Sequence, residues 1–287
     1  MKLWGAAAGV LLLAGCARPP SLSRKPPEVP KGEKPTLTVI AGGSQAYWSQ
    51  ARRGAQDAGK KLGAHIVWQA PAGADPVKSQ MKLVRDAIKT SHGLVLAPLD
   101  STKLMQPVGE AARAGLDVAI FSHDVFTIQN KLSYVHNDDY QTGVLAAQQL
   151  EKVTSPSGRI VVLIAAPRLE VEERVRGFQE TLKNRDVSEV TAETTKLVLP
   201  ADADAVFCAD ETLSGALASL PSSKAKLVIY DAGEVLARSH LEKDIVAVLS
   251  PDYYRMAYQS VKAILDYRKQ HVAPREIKIA PWVFLSK

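Results

Sequence analysis

Cysteine is nearly missing: Cys16 and Cys208 are the two found in 287 residues. A disulfide-stapled scaffold is thereby excluded. Long hydrophobic runs are missing too. The most apolar stretch, residues 3–15, covers thirteen positions, short of the ~20 that a membrane-spanning helix needs. There is no Gly-x-x-x-x-Gly-Lys-Ser/Thr loop, no Gly-x-Ser-x-Gly elbow and no pair of histidines at i,i+4 spacing. The signatures of nucleotide hydrolysis, acyl transfer and zinc proteolysis are therefore absent. Charge of one sign is scarce. Lys+Arg total 36 and Asp+Glu 30, and the surplus of +6 is spread along the chain. A nucleic-acid binder needs a clustered basic stripe, so that partner is not expected. Apolar residues at 46% and charged residues at 23% are ordinary for a globular protein. They exclude a disordered chain, a collagen and a polytopic membrane protein. The length accommodates roughly two domains.

What is present begins with an address. Met1-Lys2 supplies a positive start, and residues 3–15 have the proportions of a secretory signal core. The run ends Leu13-Ala14-Gly15-Cys16, which resembles the lipobox of bacterial lipoproteins. That resemblance implies removal of residues 1–15, lipidation of Cys16, and an exported chain anchored to a bacterial membrane, facing the periplasm or the cell exterior. An ordinary signal peptide with an incidental cysteine is the other reading. Residues 16–35 hold six prolines (Pro19, Pro20, Pro26, Pro27, Pro30 and Pro35). They deny this segment a helix or a central strand and favour an extended, semi-rigid tether. Its basic residues suit solubility better than lipid contact. With Cys16 acylated, Cys208 has no disulfide partner. Its apolar surroundings, Asp204-Ala-Val-Phe-Cys-Ala209, predict a buried, inert thiol.

From residue 36 the pattern alternates between strand and helix. Apolar, β-branched runs predict strands over 36–41, 65–68, 93–98, 118–121, 133–136, 159–165, 205–208, 227–230 and 245–249. Helical spacing predicts helices over 45–62, 77–89, 102–114, 140–153, 169–184, 211–220, 234–242 and 253–271, the first closed by Gly63. This order implies parallel sheets covered by helices on both faces. The pattern restarts near 137–139, so two similar α/β halves are expected. Residues 187–204 are the awkward stretch. A parallel crossover needs a dozen or more residues, which favours a strand over 187–190 and a short helix over 192–199.

Several blocks together resemble the type I periplasmic sugar-binding proteins, the ribose-binding group, from about Pro35 onward. Gln45-Ala-Tyr-Trp48 with Arg53-Gly54-Ala55 is similar to the family's aromatic loop before its first helix. Ala97-Pro-Leu-Asp-Ser101 with Ala114-Gly115 matches its Pro-x-Asp-Ser strand end. Phe121-Ser-His-Asp-Val125 sits where the family has Phe-Asp-Ser-Asp. Asn137-Asp-Asp-Tyr140 with Gly143 matches its crossover, and Arg174-Val-Arg-Gly-Phe178 its Arg-x-x-Gly-Phe helix. Val206–Glu211 and Tyr230-Asp231 match two more strand ends. The resemblance implies an α/β fold of two doubly wound parallel-sheet lobes joined by three hinge crossings, near Asn137, Ser250 and Pro274. Residues 36–137 with 251–274 would form one lobe, and 138–250 with 275–287 the other.

The implied function is a solute receptor that closes its lobes on a sugar or similar small polar ligand and delivers it to an ABC importer. It is no enzyme, needs no cofactor or metal, and works as a monomer whose partners are the ligand, the permease and the membrane. A sensory or repurposed lipoprotein of the same fold, binding a non-sugar ligand, is the alternative. The implied ligand-binding residues are Gln45, Tyr47, Trp48, Ser122, His123, Asp124, Asn137, Arg174 and Asp231. Tyr47 and Trp48 offer stacking faces, or one of them merely packs the wall. Arg174 offers a fixed fork of donors, or else pairs with Glu170 at i,i+4. Asp231 offers a carboxylate at a strand end, or else shapes a turn. Replacing Trp48 or Arg174 by alanine is expected to weaken binding without unfolding the chain. His123, Asp124, His136, Asp138 and Asp139 raise the question of a metal site, but strand-end Asp and His are commonly turn residues. The sequence also departs from the family pattern. Ser122 replaces a sugar-binding Asp, Ala209 an Asn and Pro251 a Gln, and an aromatic-bearing segment between Val190 and Ala205 is shortened. Each loss removes a hydroxyl partner worth about 1 kcal/mol, which argues against a simple pentose.

Overall fold

The structure is a computed structural model that describes residues 29–125, 131–217, 220, 224–231 and 244–285. Cys16, the expected leader, most of the tether and the helix expected over 234–242 lie outside the described residues. Among the described residues no helix is long and apolar enough to cross a membrane.

The first lobe runs β1 (Thr36–Ile40), α1 (Trp48–Leu62), β2 (His65–Gln69), α2 (Pro76–Thr90), β3 (Gly93–Leu96), α3 (Met105–Arg113), β4 (Asp117–Phe121) and β5 (Ser133–Asn137). The second runs α4 (Asp139–Glu151), β6 (Ile160–Ile164), α5 (Leu169–Thr181), β7 (Val187–Thr191), β8 (Ala205–Cys208), α6 (Glu211–Leu217), β9 (Lys226–Tyr230) and β10 (Ile245–Ser250). The chain then returns to the first lobe with α7 (Tyr253–Gln270) and β11 (Glu276–Ile279). It ends in the second with β12 (Trp282–Leu285).

Each lobe is built on a six-stranded sheet. The first has the order β11-β5-β4-β3-β1-β2 and is parallel throughout. The second has the order β12-β10-β9-β8-β6-β7, parallel except for β12, which runs antiparallel to β10. Helices cover both faces, so β3, β4, β6 and β8 are buried along their whole length. Their composition is accordingly apolar almost throughout rather than alternating, the exception being Asp117 at the start of β4, which pairs with Arg268. Cys208, at the end of β8, is fully buried, and burial pushes its thiol up to about 12.

Local chemistry fixes the helix ends. Asp75 caps α2 by accepting from the Lys78 amide at 2.9 Å, with Pro76 at the first helical position. Gly63 closes α1 in the left-handed region at φ 86. Asp138 and Asp252 cap α4 and α7 by accepting from the amides of Gln141 and Arg255. These two caps lie where the chain passes between the lobes, so each crossing is clamped to the helix it enters.

Two differences from the sequence reading concern the second half of the chain. Residues 276–279 do not belong to the second lobe: β11 pairs with β5, Glu276 opposite Tyr134 and Ile279 opposite Asn137. The third crossing is therefore at Ala280-Pro281, not near Pro274. The return helix α7 carries the chain back over the first sheet, which leaves β11 beside β5. The awkward stretch resolves into β7, followed by a 3-10 turn of three residues, Thr194–Lys196, in place of a longer helix.

Candidate functional site

In each sheet the strand order reverses direction at one point, between β1 and β3 and between β6 and β8. Ligands of open parallel sheets sit beyond the strand C-termini near such points. Two adjoining cavities lie there, between the lobes. The inner one holds about 280 Å³ and the outer one about 670 Å³. The first lobe contributes Gln45, Tyr47, Trp48, Ser122 and Asn137 to the inner wall, and the second contributes Arg174, Glu211 and Tyr230. His123, Asp139 and Glu170 line both spaces.

Arg174 is the centre of the second-lobe wall. Two glycines bring it there. A Cβ on Gly143 of α4 would meet the Arg174 carbonyl oxygen at 1.9 Å, and one on Gly177 of α5 would meet the Tyr140 carbonyl oxygen at 2.1 Å. Only glycine permits this close helix approach. It sets the Arg174 side chain against the start of α4, where Nε donates to Asp139 Oδ1 at 2.7 Å. Nη1 donates to the Ala209 carbonyl at 2.8 Å and to Glu211 Oε2 at 2.9 Å. The guanidinium lies 3.6 Å above the Tyr230 ring centroid. Burial opposes its charge, but Tyr230, Asp139 and Glu211 outweigh that and hold its pKa above the ordinary value. Burial raises Asp139 despite Arg174. Burial also opposes the charge of Glu211, but Arg174 and Arg168 together overcome it and lower its pKa.

The first-lobe wall is aromatic. Tyr47 stacks on Tyr253 at 5.2 Å, and Trp48 lies 4.9 Å from Tyr253 and edge-on to Phe121 at 5.9 Å. The indole occupies the place a side chain at Gly42 would need, with Cζ2 2.6 Å from that Cβ position. Both Trp48 and Asn137 are 6% exposed. Neither Trp48 Nε1 nor Asn137 Oδ1 has a hydrogen-bond partner. The Asn137 amide orientation is fixed chemically, since its Nδ2 donates to the Asp139 carboxylate at 2.9 Å and to Thr142 Oγ1 at 2.8 Å. A buried donor and a buried acceptor are thus left open on residues of the inner wall, and each such vacancy costs free energy unless something fills it.

The remaining expected residues are distributed differently. Ser122 lines the inner space with its backbone in the left-handed region, φ 70, and its carbonyl accepts from the Tyr134 hydroxyl. Asp124 lines only the outer cavity, where Lys131 holds both its oxygens. Asp231 lines neither space; its carboxylate is 1% exposed and accepts from Ser214. Glu170 does not pair with Arg174. It faces His123 across the lobes at 3.7 Å, and that imidazole holds its carboxyl well down, at about 2. His136 bonds Glu276, Asp138 caps α4, and Asp139 serves Arg174. Among the described residues, no three metal-ligating side chains converge.

Sequence reasoning missed Asp139, Glu170, Glu211, Tyr230 and Tyr253 as wall residues. Tyr230 and Glu211 were detectable by position: Tyr230 ends the apolar run of β9, and Glu211 opens α6 three residues beyond β8. Pro251, one of the departures from the family pattern, also lines the inner space. Ala209, another, contributes its backbone carbonyl to Arg174.

Comparison with known proteins agrees with this architecture. Residues 37–270 match the family described as periplasmic binding protein domain. The D-allose-binding periplasmic protein of Escherichia coli (strain K12) is 26% identical over 255 residues, covering 79% of this chain and 82% of that one. An arabinose-binding protein from Geobacillus stearothermophilus superposes with a TM-score of 0.76 at 20% identity, over 88% of this chain and 97% of that one. A periplasmic ribose ABC transporter structure from Conexibacter woesei superposes with a TM-score of 0.75 at 16% identity, over 88% and 92%.

Proposed function

We propose, from the premise that this chain belongs to the periplasmic binding protein domain family, that it is an extracytoplasmic solute receptor. It binds a sugar or a closely related polar solute between its lobes and delivers it to an ABC importer. Lipid on Cys16 tethers it to the membrane, and the proline-rich segment spaces it away. Binding is the whole of its task. The side chains lining the cleft are held as donors, acceptors and stacking faces, and the polar ones are mostly engaged with each other.

One observation carries this reading. Trp48 and Asn137 line an inter-lobe cavity of about 280 Å³, and Trp48 Nε1 and Asn137 Oδ1 are buried without hydrogen-bond partners. A hydroxylated ring satisfies both, since each hydroxyl donates and accepts, and its C–H face suits the aromatic wall. The kinship to a D-allose-binding protein supports the same solute class.

The test is a thermal-shift titration of the full chain in detergent against pentoses, hexoses, polyols and amino sugars. A member of this set at a hundred times its Kd is expected to stabilise the protein by about 2.7 kcal/mol. Small-angle scattering should show compaction with the same compound as the lobes close. No stabilisation by any saccharide or polyol would overturn the proposal. Tethering is tested separately: Cys16→Ala is expected to leave the membrane fraction.

A further inference from the structure

The charge of the cleft runs opposite to that of the chain. The chain carries +6. The inner cavity presents three carboxylates, Asp139, Glu170 and Glu211, against the guanidinium of Arg174 and the imidazole of His123, which faces Glu170. The outer cavity does not reverse this. Asp124, Glu173 and Glu276 there balance Lys131, Arg275 and Lys278. Asp231 adds negative potential near Tyr253, whose hydroxyl is held above its ordinary pKa by burial, then by Tyr47, Glu211 and Asp231. A neutral solute engages carboxylates only through its hydroxyls, whereas a cationic one also compensates the surplus charge.

The aromatic wall points the same way. Four rings line the inner space: Tyr47, Trp48, Tyr230 and Tyr253. Tyr230 already accepts a cation on its face, from Arg174 at 3.6 Å. Clustered ring faces beside carboxylates attract cationic groups, more strongly where water is excluded. The open Asn137 Oδ1 is an acceptor, which suits an N–H donor. The open Trp48 Nε1 is a donor, which needs an oxygen such as a hydroxyl. We infer that the solute carries both groups: an amino sugar or a related aminated polyol, with its ammonium set among Glu170, Glu211 and the aromatic wall. The inference rests on reading the inter-lobe cavity as the sugar-class site.

Calorimetric titration of the full chain with matched pairs tests it. The probes are D-glucosamine and D-galactosamine, their neutral parents D-glucose and D-galactose, and N-acetyl-D-glucosamine. At least one amine is expected to bind about tenfold or more tighter than its neutral parent. N-acetylation, or a pH above the amine's own pKa, should erase the advantage. Glu211→Gln should weaken the amine more than the parent. Because Glu211 is tied to Arg174, the more exposed Glu170→Gln repeats the test in a variant that keeps the Arg174 network. A neutral parent binding as tightly as its amine overturns the inference while leaving the sugar-class reading intact. Failure of every probe, when neutral sugars outside this set do bind, also overturns it. Failure of all saccharides overturns both.

Discussion

His123 Nδ1 lies 3.7 Å from Glu170 Oε1, and the two residues belong to different lobes. The pair therefore joins surfaces that separate whenever the cleft opens. Its strength depends on pH through Glu170, whose carboxyl is lowered from 4.5 to about 2, first by the imidazole of His123. A lowered carboxyl contributes stability that is present above its ordinary pKa and lost as pH falls through its folded one. The contribution is thus full above pH 4.5 and disappears toward pH 2. Thermal melts of the parent and Glu170→Gln across that window should converge as the pH drops. Equal separation of the two curves throughout would show that the pair contributes nothing.

Removing Arg174 reaches beyond the ligand. The sequence suggested that Arg174→Ala would spare folding. The structure supports the opposite expectation, because the side chain is 5% exposed and bonds both Asp139 and Glu211. Alanine strands two partly buried carboxylates. Breaking such a pair from one side costs about 3–5 kcal/mol. Urea denaturation should show the loss directly, and binding should fail with it.

Trp48→Phe separates the indole's hydrogen bond from its packing. Nε1 has no protein partner, so the cost to the unliganded fold comes from packing alone: the smaller ring leaves a cavity in a buried site and should destabilise by roughly 1–3 kcal/mol. The loss of one ligand hydrogen bond, about 0.5–1.5 kcal/mol, should weaken binding by roughly two- to tenfold. Calorimetry with whichever compound stabilises the parent measures it.

Helix α4 rests on α5 through backbone contact, and this too is open to test. Gly143→Ala places a methyl 1.9 Å from a carbonyl oxygen, and Gly177→Ala places one at 2.1 Å. Each should cost about 1–3 kcal/mol and displace Arg174 from Asp139. Gly215→Ala in α6 meets nothing within 4 Å and should instead stabilise by about 0.4–1 kcal/mol. Chemical denaturation of the three variants ranks them.

The fold was legible wherever burial is two-sided. Runs such as Ile160–Ile164 are apolar at every position because helices lie on both faces. The strands that escaped notice, Glu276–Ile279 and Trp282–Leu285, are four residues each and form sheet edges. Their side chains are largely exposed, so neither apolar continuity nor clear alternation marks them. The site was legible in part. Trp48, Arg174 and Asn137 stood out through family motifs. Asp231 was expected at the cleft because it follows a buried strand, yet its neighbour Tyr230 is the one that lines the cavity. Glu170 gave no signal as a cleft residue, since its partner His123 stands on the far side of the cleft.

The passage of β11 into the first sheet and β12 into the second has a consequence for how this chain is made. The first sheet waits for residues 276–279 and the second for 282–285. Neither half can finish its edge while the ribosome still holds that region, although domains generally fold as units once they are complete. Emergence of the first 250 residues leaves two sheets with raw margins. Completion of both is then nearly simultaneous, decided within residues 276–285, and a chain interrupted before them leaves two sheet edges open rather than one.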